Sequence, residues 1–373
     1  MKIITTALLL TCLSVSSVFA QKTIEVKNPL DEDRLELISI PFSKWQKHFG
    51  TDTIFTVKSE NGQDILPHQL EKLGTNTIQN VLIQVKIPSK GKINLQVVKG
   101  KASLVKHKTY ARYVPERFDD FAWENDVVAF RMYGKALEGR PDDAQGMDYW
   151  AKRTTDLIIN KWYKKDDYHK DHGEGLDYYS VGQTLGAGDL ALFINNNLQF
   201  TKHYRTFTIL DNGPLRTTFK LDYEDETIAG QSIRLSKVIS IDAAQHFNKI
   251  VVSLQNKSAK ETPIVVGLAK RGEANPKVDF DKDDRMLAYW EPDIKDFGQT
   301  GTALIIPKGK MEFMETDPKQ FLLKSRIKNH KPFVYYNGAA WNKAGKISNL
   351  DEWEDVVEDF SEGVLKPLKV KLK

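Results

Sequence analysis

The chain has one cysteine, Cys12, in 373 residues, which excludes internal disulfides and leaves everything after residue 12 without a thiolate. Neither sign of charge is in excess. Fifty-four Lys and Arg stand against 50 Asp and Glu, a formal net charge of +4, and the lysines are scattered rather than blocked. That balance carries no nucleic-acid signature, since phosphate binding needs basic residues concentrated on one face. After residue 20 no stretch approaches the roughly 20 apolar residues of a membrane-spanning helix. Nucleotide motifs are missing too. Gly182, Gly186 and Gly188 lack the dinucleotide spacing, and Gly134 and Gly139 run into Arg140-Pro141 instead of the Lys-Ser/Thr of a phosphate loop. No Gly-x-Ser-x-Gly elbow occurs. Nicotinamide, flavin and ATP chemistry are therefore not expected, and no cofactor is implied.

What is present begins with an address. Lys2 precedes an apolar run from Ile3 to Val15, and Ser17-Val18-Phe19-Ala20 ends in small residues of the kind a signal peptidase reads. Residues 1–20 are expected to be a signal peptide cleaved after Ala20, which places the protein in the periplasm or outside the cell. Without disulfides, such a protein depends on its core, for which the remaining length is ample.

Strand patterns dominate that remainder. Thr23–Lys27 and Leu35–Ile40 alternate apolar and polar residues, as do Val81–Ile87 and Ile93–Val98, which flank Pro88-Ser89-Lys90-Gly91 like a hairpin loop. Similar runs span 207–210, 216–223, 233–241, 250–255, 264–268 and 303–306. The tail Leu368–Lys373 alternates apolar residues with lysine, as an edge strand with a charged outer face does. One helix is expected: Leu350, Trp353, Val357 and Phe360 recur at helical spacing after Ser348-Asn349, with Asp351 and Glu352 in the first turn. These patterns predict an all-β fold, a large antiparallel β-sandwich with a few short helices. The texture changes over 142–188, where aromatic, charged and glycine residues crowd together with weak periodicity. Residues 21–373 read as a single β-sandwich catalytic domain in which 142–188 is a functional insertion.

Three segments carry candidate chemistry. In Val127–Gly134, Arg131 and Tyr133 share one strand face, an arrangement suited to a carboxylated ring, although a solvent-facing ion pair with Asp126 fits the spacing as well. In 146–163, Trp150 and Trp162 have the flat faces on which sugars stack, or are simply core. The densest cluster is 167–179, with His169, His172, four carboxylates and three tyrosines in thirteen residues. Its imidazoles could ligate a divalent metal with Glu174 or Asp177, or titrate near neutral pH as acid or base. It could also be a polar surface loop. Later, Gly267–Glu273 and Tyr335–Lys343 each end a strand-like run in small, polar and aromatic residues, as the wall of a cleft does and as an ordinary turn does.

The strings Phe118-Asp119-Asp120-Phe121-Ala122-Trp123-Glu124-Asn125-Asp126, Phe130-Arg131-Met132-Tyr133-Gly134, Tyr168-His169-x-Asp171-His172-Gly173-Glu174-Gly175-Leu176-Asp177 and Val181-Gly182-x-Thr184-Leu185-Gly186-Ala187-Gly188 resemble the domain-of-unknown-function 4861 family, along most of the chain. The resemblance implies a galactose-mutarotase-like super-sandwich and a dehydratase of ulvan oligosaccharides. Its substrate would be an acidic oligosaccharide, with glucuronic or iduronic acid at the non-reducing end linked to sulfated rhamnose, and water would leave across C4 and C5. A lyase that cleaves the chain by β-elimination, or a non-catalytic, mutarotase-like glycan binder, are the competing readings.

Dehydration needs a cation at the carboxylate, a base for the C5 proton and an acid for the departing hydroxyl. Arg131 and Arg153 are the expected cations. His172 is expected in one proton-transfer role and Tyr168 or Tyr179 in the other, with His169, Lys161 and Glu174 in support. Trp123, Trp150 and Trp341 are the expected sugar platforms, beside Tyr133.

Overall fold

A computed structural model describes residues 22–101, 104–165 and 167–373; the expected signal peptide, with Cys12, lies outside the described residues. A nine-stranded antiparallel sheet forms one layer. Its order is Thr206–Asn212, Arg216–Asp222, Gln231–Asp242, Phe247–Asn256, Phe333–Trp341, Thr300–Ile305, Met286–Trp290 and Lys277–Asp281, with Glu226–Ile228 paired beside Gln231–Asp242. Two five-stranded sheets share the facing core. One runs in chain order through Thr109–Val114, Asp120–Asn125, Ala129–Met132, Met147–Lys152 and Gly175–Leu176; the other is built around Ala187–Ile194, Glu261–Ala269 and Gln320–Lys328. The expected large antiparallel β-sandwich is the observed fold.

Alternation creates the layers. Along Gln231–Asp242 the residues Ile233, Leu235, Ile239 and Ile241 are buried, and they meet Phe121, Trp123, Leu190, Val266 and Tyr335 in one core. Burying each such aliphatic side chain contributes about 1.5–3 kcal/mol. Lys237 breaks the pattern: it points inward and is neutralised by an ion pair with Asp189. On the outer side of the large sheet lies the helix Leu350–Leu365, started by Asn349, whose side chain accepts from the Glu352 N–H at 3.0 Å. Its Trp353 and Val357 pack with Phe247, Trp290 and Ile305.

The N-terminal segment makes a smaller pair of sheets with its own core of Ile24, Val26, Ile38, Trp45, Phe55, Ile83, Val85 and Leu95. Here the expected hairpin at 88–91 does not form. Asn80–Ile87 pairs with Arg34–Pro41 and His68–Glu71, whereas Lys92–Lys99 pairs with Thr23–Lys27 and Phe55–Ser59. The loop arches between two stacked sheets, because both strands turn apolar side chains into the same core. Lys369–Leu372 closes the edge beside Thr23–Lys27, as the alternating tail predicts. The weakly periodic 142–188 segment contains regular structure as well: a strand, Met147–Lys152, and a short helix, Ile159–Lys165. All six residues of that strand are buried, so it lacks the alternation of a half-exposed strand.

Candidate active site

The strand register of the central sheet places Asp120, Glu124, Arg131, Asp148, Trp150 and Lys152 on the face turned away from the main core. The segment from Ile158 to Asp177 roofs them. Glu124 anchors that roof: its carboxylate accepts the backbone N–H groups of Ile158 and Ile159, each at 2.8 Å, and the Lys152 ammonium at 3.0 Å. A carboxylate at the N-terminal end of Ile159–Lys165 is also favoured by the helix dipole.

Arg131 sits under this roof and is already occupied. Its guanidinium lies 2.5 Å from Asp148, 3.1 Å from Asp177 and 3.6 Å from Asp120, with its side chain 5% exposed. Burial pushes the Asp120 carboxyl up to about 7, against the pull of Arg131. Asp148 and Asp177 are also raised, chiefly by burial, with their proximity to other carboxylates adding to it. Arg131 therefore organises protein carboxylates, and although its Nε and Nη1 make no hydrogen bond, burial keeps the fork from a substrate. Tyr133 is buried against the same guanidinium, 5.1 Å from it, and serves it as a wall.

Two expected platforms are closed. Trp123 is fully enclosed on the core side and donates to Asn248 Oδ1 at 2.8 Å. Trp150 is stacked between Trp162 at 5.6 Å and Tyr168 at 5.2 Å, and donates to Asp148. Neither offers a face to a sugar. Tyr168 is buried as well, with its hydroxyl accepting from Arg117 Nε at 3.2 Å.

The glycine-punctuated stretch forms the edge of the roof. His169 Nδ1 donates to the Asp177 carbonyl at 2.9 Å, whereas His172 Nε2 is 3.2 Å from Asp167. The two imidazoles thus face different partners, and among the described residues no three His, Cys, Asp or Glu side chains are grouped to hold a metal ion. Lys161 and Glu174 pair with each other at 2.5 Å. A Cβ on Gly175 would lie 2.0 Å from the Ala151 carbonyl oxygen, so only glycine lets this loop dock on the sheet.

What the loop grips is Arg153. The Asp171 carboxylate takes Arg153 Nη2, and the Gly173 carbonyl accepts from Nε at 3.1 Å. The guanidinium then lies over the Trp341 ring at 5.0 Å. Trp341 is only 2% exposed and donates to the Phe297 carbonyl at 2.7 Å, so it fixes Arg153 more than it offers an open platform.

Arg153 and Trp341 line a narrow cleft of about 60 Å³ at the end of the sandwich, together with Tyr149, Lys152, His246 and Lys346. Neither His169 nor His172 is part of its wall. His246 is the residue that sequence reasoning missed. It sits in a linker between two strands, with no motif to mark it. Its Nδ1 is 2.9 Å from the Ala339 carbonyl oxygen, which can only accept, so the ring proton is on Nδ1 and Nε2 keeps its lone pair. Burial lowers its pKa, and Lys346 lowers it further, so the imidazole is neutral at neutral pH. An aimed cation and a neutral imidazole in one cleft are a combination that can hold an anion and take a proton from it.

Tyr179 turns to a different group. Its ring carries the Arg271 guanidinium at 4.2 Å and meets Tyr149 edge-on at 6.2 Å.

A family model described as domain of unknown function (DUF4861) matches residues 26–370. The chain belongs to the DUF4861 family. Another similar chain, an uncharacterized protein P7 of Formosa agariphila, is 31% identical over 379 residues, 94% of this chain and 93% of that protein. Two solved structures from Enterococcus faecalis, an alpha-mannosidase of strain V583 and a protein in glycosyl hydrolase family 38, each superpose with a TM-score of 0.54 at 8% identity over 94% of this chain. The DUF4861 chain spans less than half of either, 46% and 47% respectively. At that identity the likeness is one of fold. Within this DUF4861 member, the long motifs build the roofed carboxylate face and the loop that clamps Arg153.

Proposed function

We propose that this protein is an exported lyase acting on acidic oligosaccharides, a dehydratase that removes water across C4 and C5 of a non-reducing-end glucuronic or iduronic acid. The family resemblance points to ulvan fragments, in which the uronate is linked to sulfated rhamnose. The observation that carries the reading is the cleft that brings the clamped Arg153 together with the neutral imidazole of His246.

The chemistry asks for that pairing. The C5 proton is α to a carboxylate, and its removal builds negative charge on the carboxylate oxygens. Arg153, held by Asp171, Gly173 and Trp341, has Nη1 outside those contacts and can meet these oxygens. A preorganised donor there contributes on the order of 3–4 kcal/mol to the transition state. Lys346 adds positive charge to the same wall. His246 Nε2 takes the proton, worth roughly 10²–10⁴ in rate. As the C5–H bond breaks the C4–C5 double bond forms, and the C4–O bond breaks with a proton added to the departing oxygen. Atoms balance with one water released, and no oxidant or reductant is needed. His172, the first expectation for proton transfer, has no place in this scheme because it lies on the outer loop.

Incubation with saturated uronate-ended oligosaccharides tests the reading. The expected product has the ultraviolet absorbance of a conjugated enol-ether acid and a mass lower by one water. Chain shortening on polymer would instead identify a cleaving lyase. Calorimetric binding without any product would identify a glycan binder.

A further inference from the structure

Phe118 and Asp119 begin the segment that runs to Asp126, yet they lie at the other end of the central sheet from the Arg153 cleft. The strand Asp120–Asn125 separates them from Asp126 and Val127 of that cleft, a span of about 17 Å at the rise of an extended chain. At their end a second cavity opens between the strand Thr109–Val114 and Thr206–Asn212, the edge strand of the large sheet. Its volume is about 330 Å³, several times that of the Arg153 cleft and within the range of small-molecule pockets. Tyr113, Asp119, Lys135, Arg205 and Phe207 are in its lining.

One side is aromatic. Phe207 and Tyr113 stack at 4.9 Å with their planes 19° apart, and Phe121 backs Phe207 at 5.4 Å. Phe207 is nonetheless 38% exposed, and Tyr113 is half-buried. Asp119 is held beside them by an unusual turn. Phe118 and Asp119 have φ values of 49° and 62°, in the left-handed region that a bulky Phe rarely enters and that persists only where the surroundings enforce it. Here they do. Arg140 and Arg117 lie over the Phe118 ring at 4.0 and 4.7 Å, and the Tyr204 hydroxyl donates to the Asp119 carbonyl. Gly134 admits that carbonyl, from which a Cβ would lie only 1.9 Å away. The Asp119 carboxylate accepts from the Tyr113 hydroxyl through Oδ1, while Oδ2 has no hydrogen bond among the described residues. The two cations differ. Arg205 is occupied by Glu138 at 2.7 Å and Glu224 at 3.1 Å, whereas Lys135 is exposed and in no ion pair among the described residues.

We propose that this cavity is a second saccharide-binding site, separate from the reaction cleft, that seats one pyranose unit carrying an anionic substituent. The C–H face of the ring lies on Phe207 and Tyr113, a hydroxyl donates to the free Asp119 oxygen, and Lys135 meets the anionic group, a sulfate or a carboxylate. The ligand class rests on the proposed function, but no catalytic step is involved.

A charged sugar is the occupant that uses every side of the cavity. A flat aromatic ligand would stack on the rings and leave Lys135 and the Asp119 oxygen idle. A bare anion would meet Lys135 and leave the rings idle. With the reaction cleft taking a chain end and this cavity an internal unit, the protein holds a long acidic chain at two points, which raises the local concentration of its ends.

The test compares wild type, Phe207→Ala and Lys135→Gln in two assays, with thermal melts as folding controls. Affinity electrophoresis through gels containing a sulfated uronate polysaccharide reads the second site, because such a polymer has few chain ends for the reaction cleft. Turnover of a saturated uronate-ended disaccharide reads the cleft. Phe207→Ala is expected to raise the apparent Kd for the polymer about tenfold, and Lys135→Gln about threefold. Disaccharide turnover is expected to stay within about twofold of wild type in both variants, since distant sites act independently. Repeating the gels with desulfated polymer separates the two anions: a Lys135→Gln effect that vanishes assigns the sulfate, and one that persists assigns the carboxylate. Wild type that is not retarded, or Phe207→Ala retarded equally, overturns the proposal. Loss of disaccharide turnover together with retardation also overturns it, by placing the reaction in this cavity. If Phe207→Ala melts well below wild type, Lys135→Gln decides, and an unchanged Kd on both polymers overturns the site. If wild type is retarded but forms no product from the disaccharide, the dehydratase reading has failed, and weaker retardation of Phe207→Ala still supports the second site.

Discussion

Replacing Arg131 with Met separates a guanidinium that holds the fold from one that holds a substrate. The side chain is 5% exposed and faces Asp148 at 2.5 Å, Asp177 at 3.1 Å and Asp120 at 3.6 Å. Methionine fills much of the volume but takes away the cation that the three buried carboxyls share, leaving Arg117 acting on Asp120 and Asp177. Removing one partner of a buried ion pair costs about 3–5 kcal/mol. For a chain of this length, that corresponds to a melting temperature lower by about 4–7 °C. The penalty depends on pH. The three carboxyls have pKa values raised by burial, and without Arg131 they hold their protons more tightly still, so the loss is largest near pH 8 and shrinks toward pH 5. Differential scanning calorimetry of both proteins at the two pH values measures this directly. A variant that melts within about 1 °C of wild type at pH 8, yet has lost turnover, would refute the reasoning and return Arg131 to the substrate.

Other outcomes follow from the same geometry. Asp171→Ala frees Arg153 from the loop and is expected to raise KM for the acidic oligosaccharide about tenfold with little change in melting temperature; an unchanged KM argues against the clamp. His172→Gln, outside the cleft, is expected to keep kcat within about twofold of wild type, which steady-state kinetics reads. Glu124→Gln removes the anion shared by Lys152 and the start of Ile159–Lys165, so limited proteolysis is expected to cut within that helix faster than in wild type. Asp120 and Glu291 have folded-state values raised to about 7, so their stabilisation is complete below the ordinary carboxylate range and is lost as pH rises through 7. The lowered values of His68 and His246 act in the opposite sense below about pH 6.5, yet the raised carboxyls, Asp148 and Asp177 included, outnumber them. The wild-type melting temperature is therefore expected to be lower at pH 8 than at pH 6; an equal or higher value at pH 8 contradicts these shifts.

Local pattern makes most strands legible, because period-two alternation is what a half-buried sheet needs and each run can be seen without knowing its partner. The same locality explains the failures. Pro88–Gly91 has the length and composition of a hairpin loop, and nothing within it says that its flanking strands belong to different sheets. Arg131 and Tyr133 are legible as neighbours on one face, but the carboxylates that occupy Arg131 come from Asp120 and Asp148 on adjoining strands, through pairing register, and from Asp177 on the roof. Trp123 and Trp150 have the surfaces that sugars stack on and also the surfaces that fill cores, and only packing distinguishes the two. Arg153 is visible by residue type, whereas its clamp depends on a loop folding back from Asp171. His246 carries no signal at all: for a lone histidine between strands, only a distant carbonyl, that of Ala339, fixes the tautomer.

The central claim, that His246 in the Arg153 cleft takes a proton from a sugar acid, is tested most directly by following unsaturated uronate formation from a saturated oligosaccharide by wild type and His246→Gln side by side. Steady product is expected from wild type, and turnover at least about 100-fold slower from a variant that melts like wild type. Equal rates from the two proteins would contradict it.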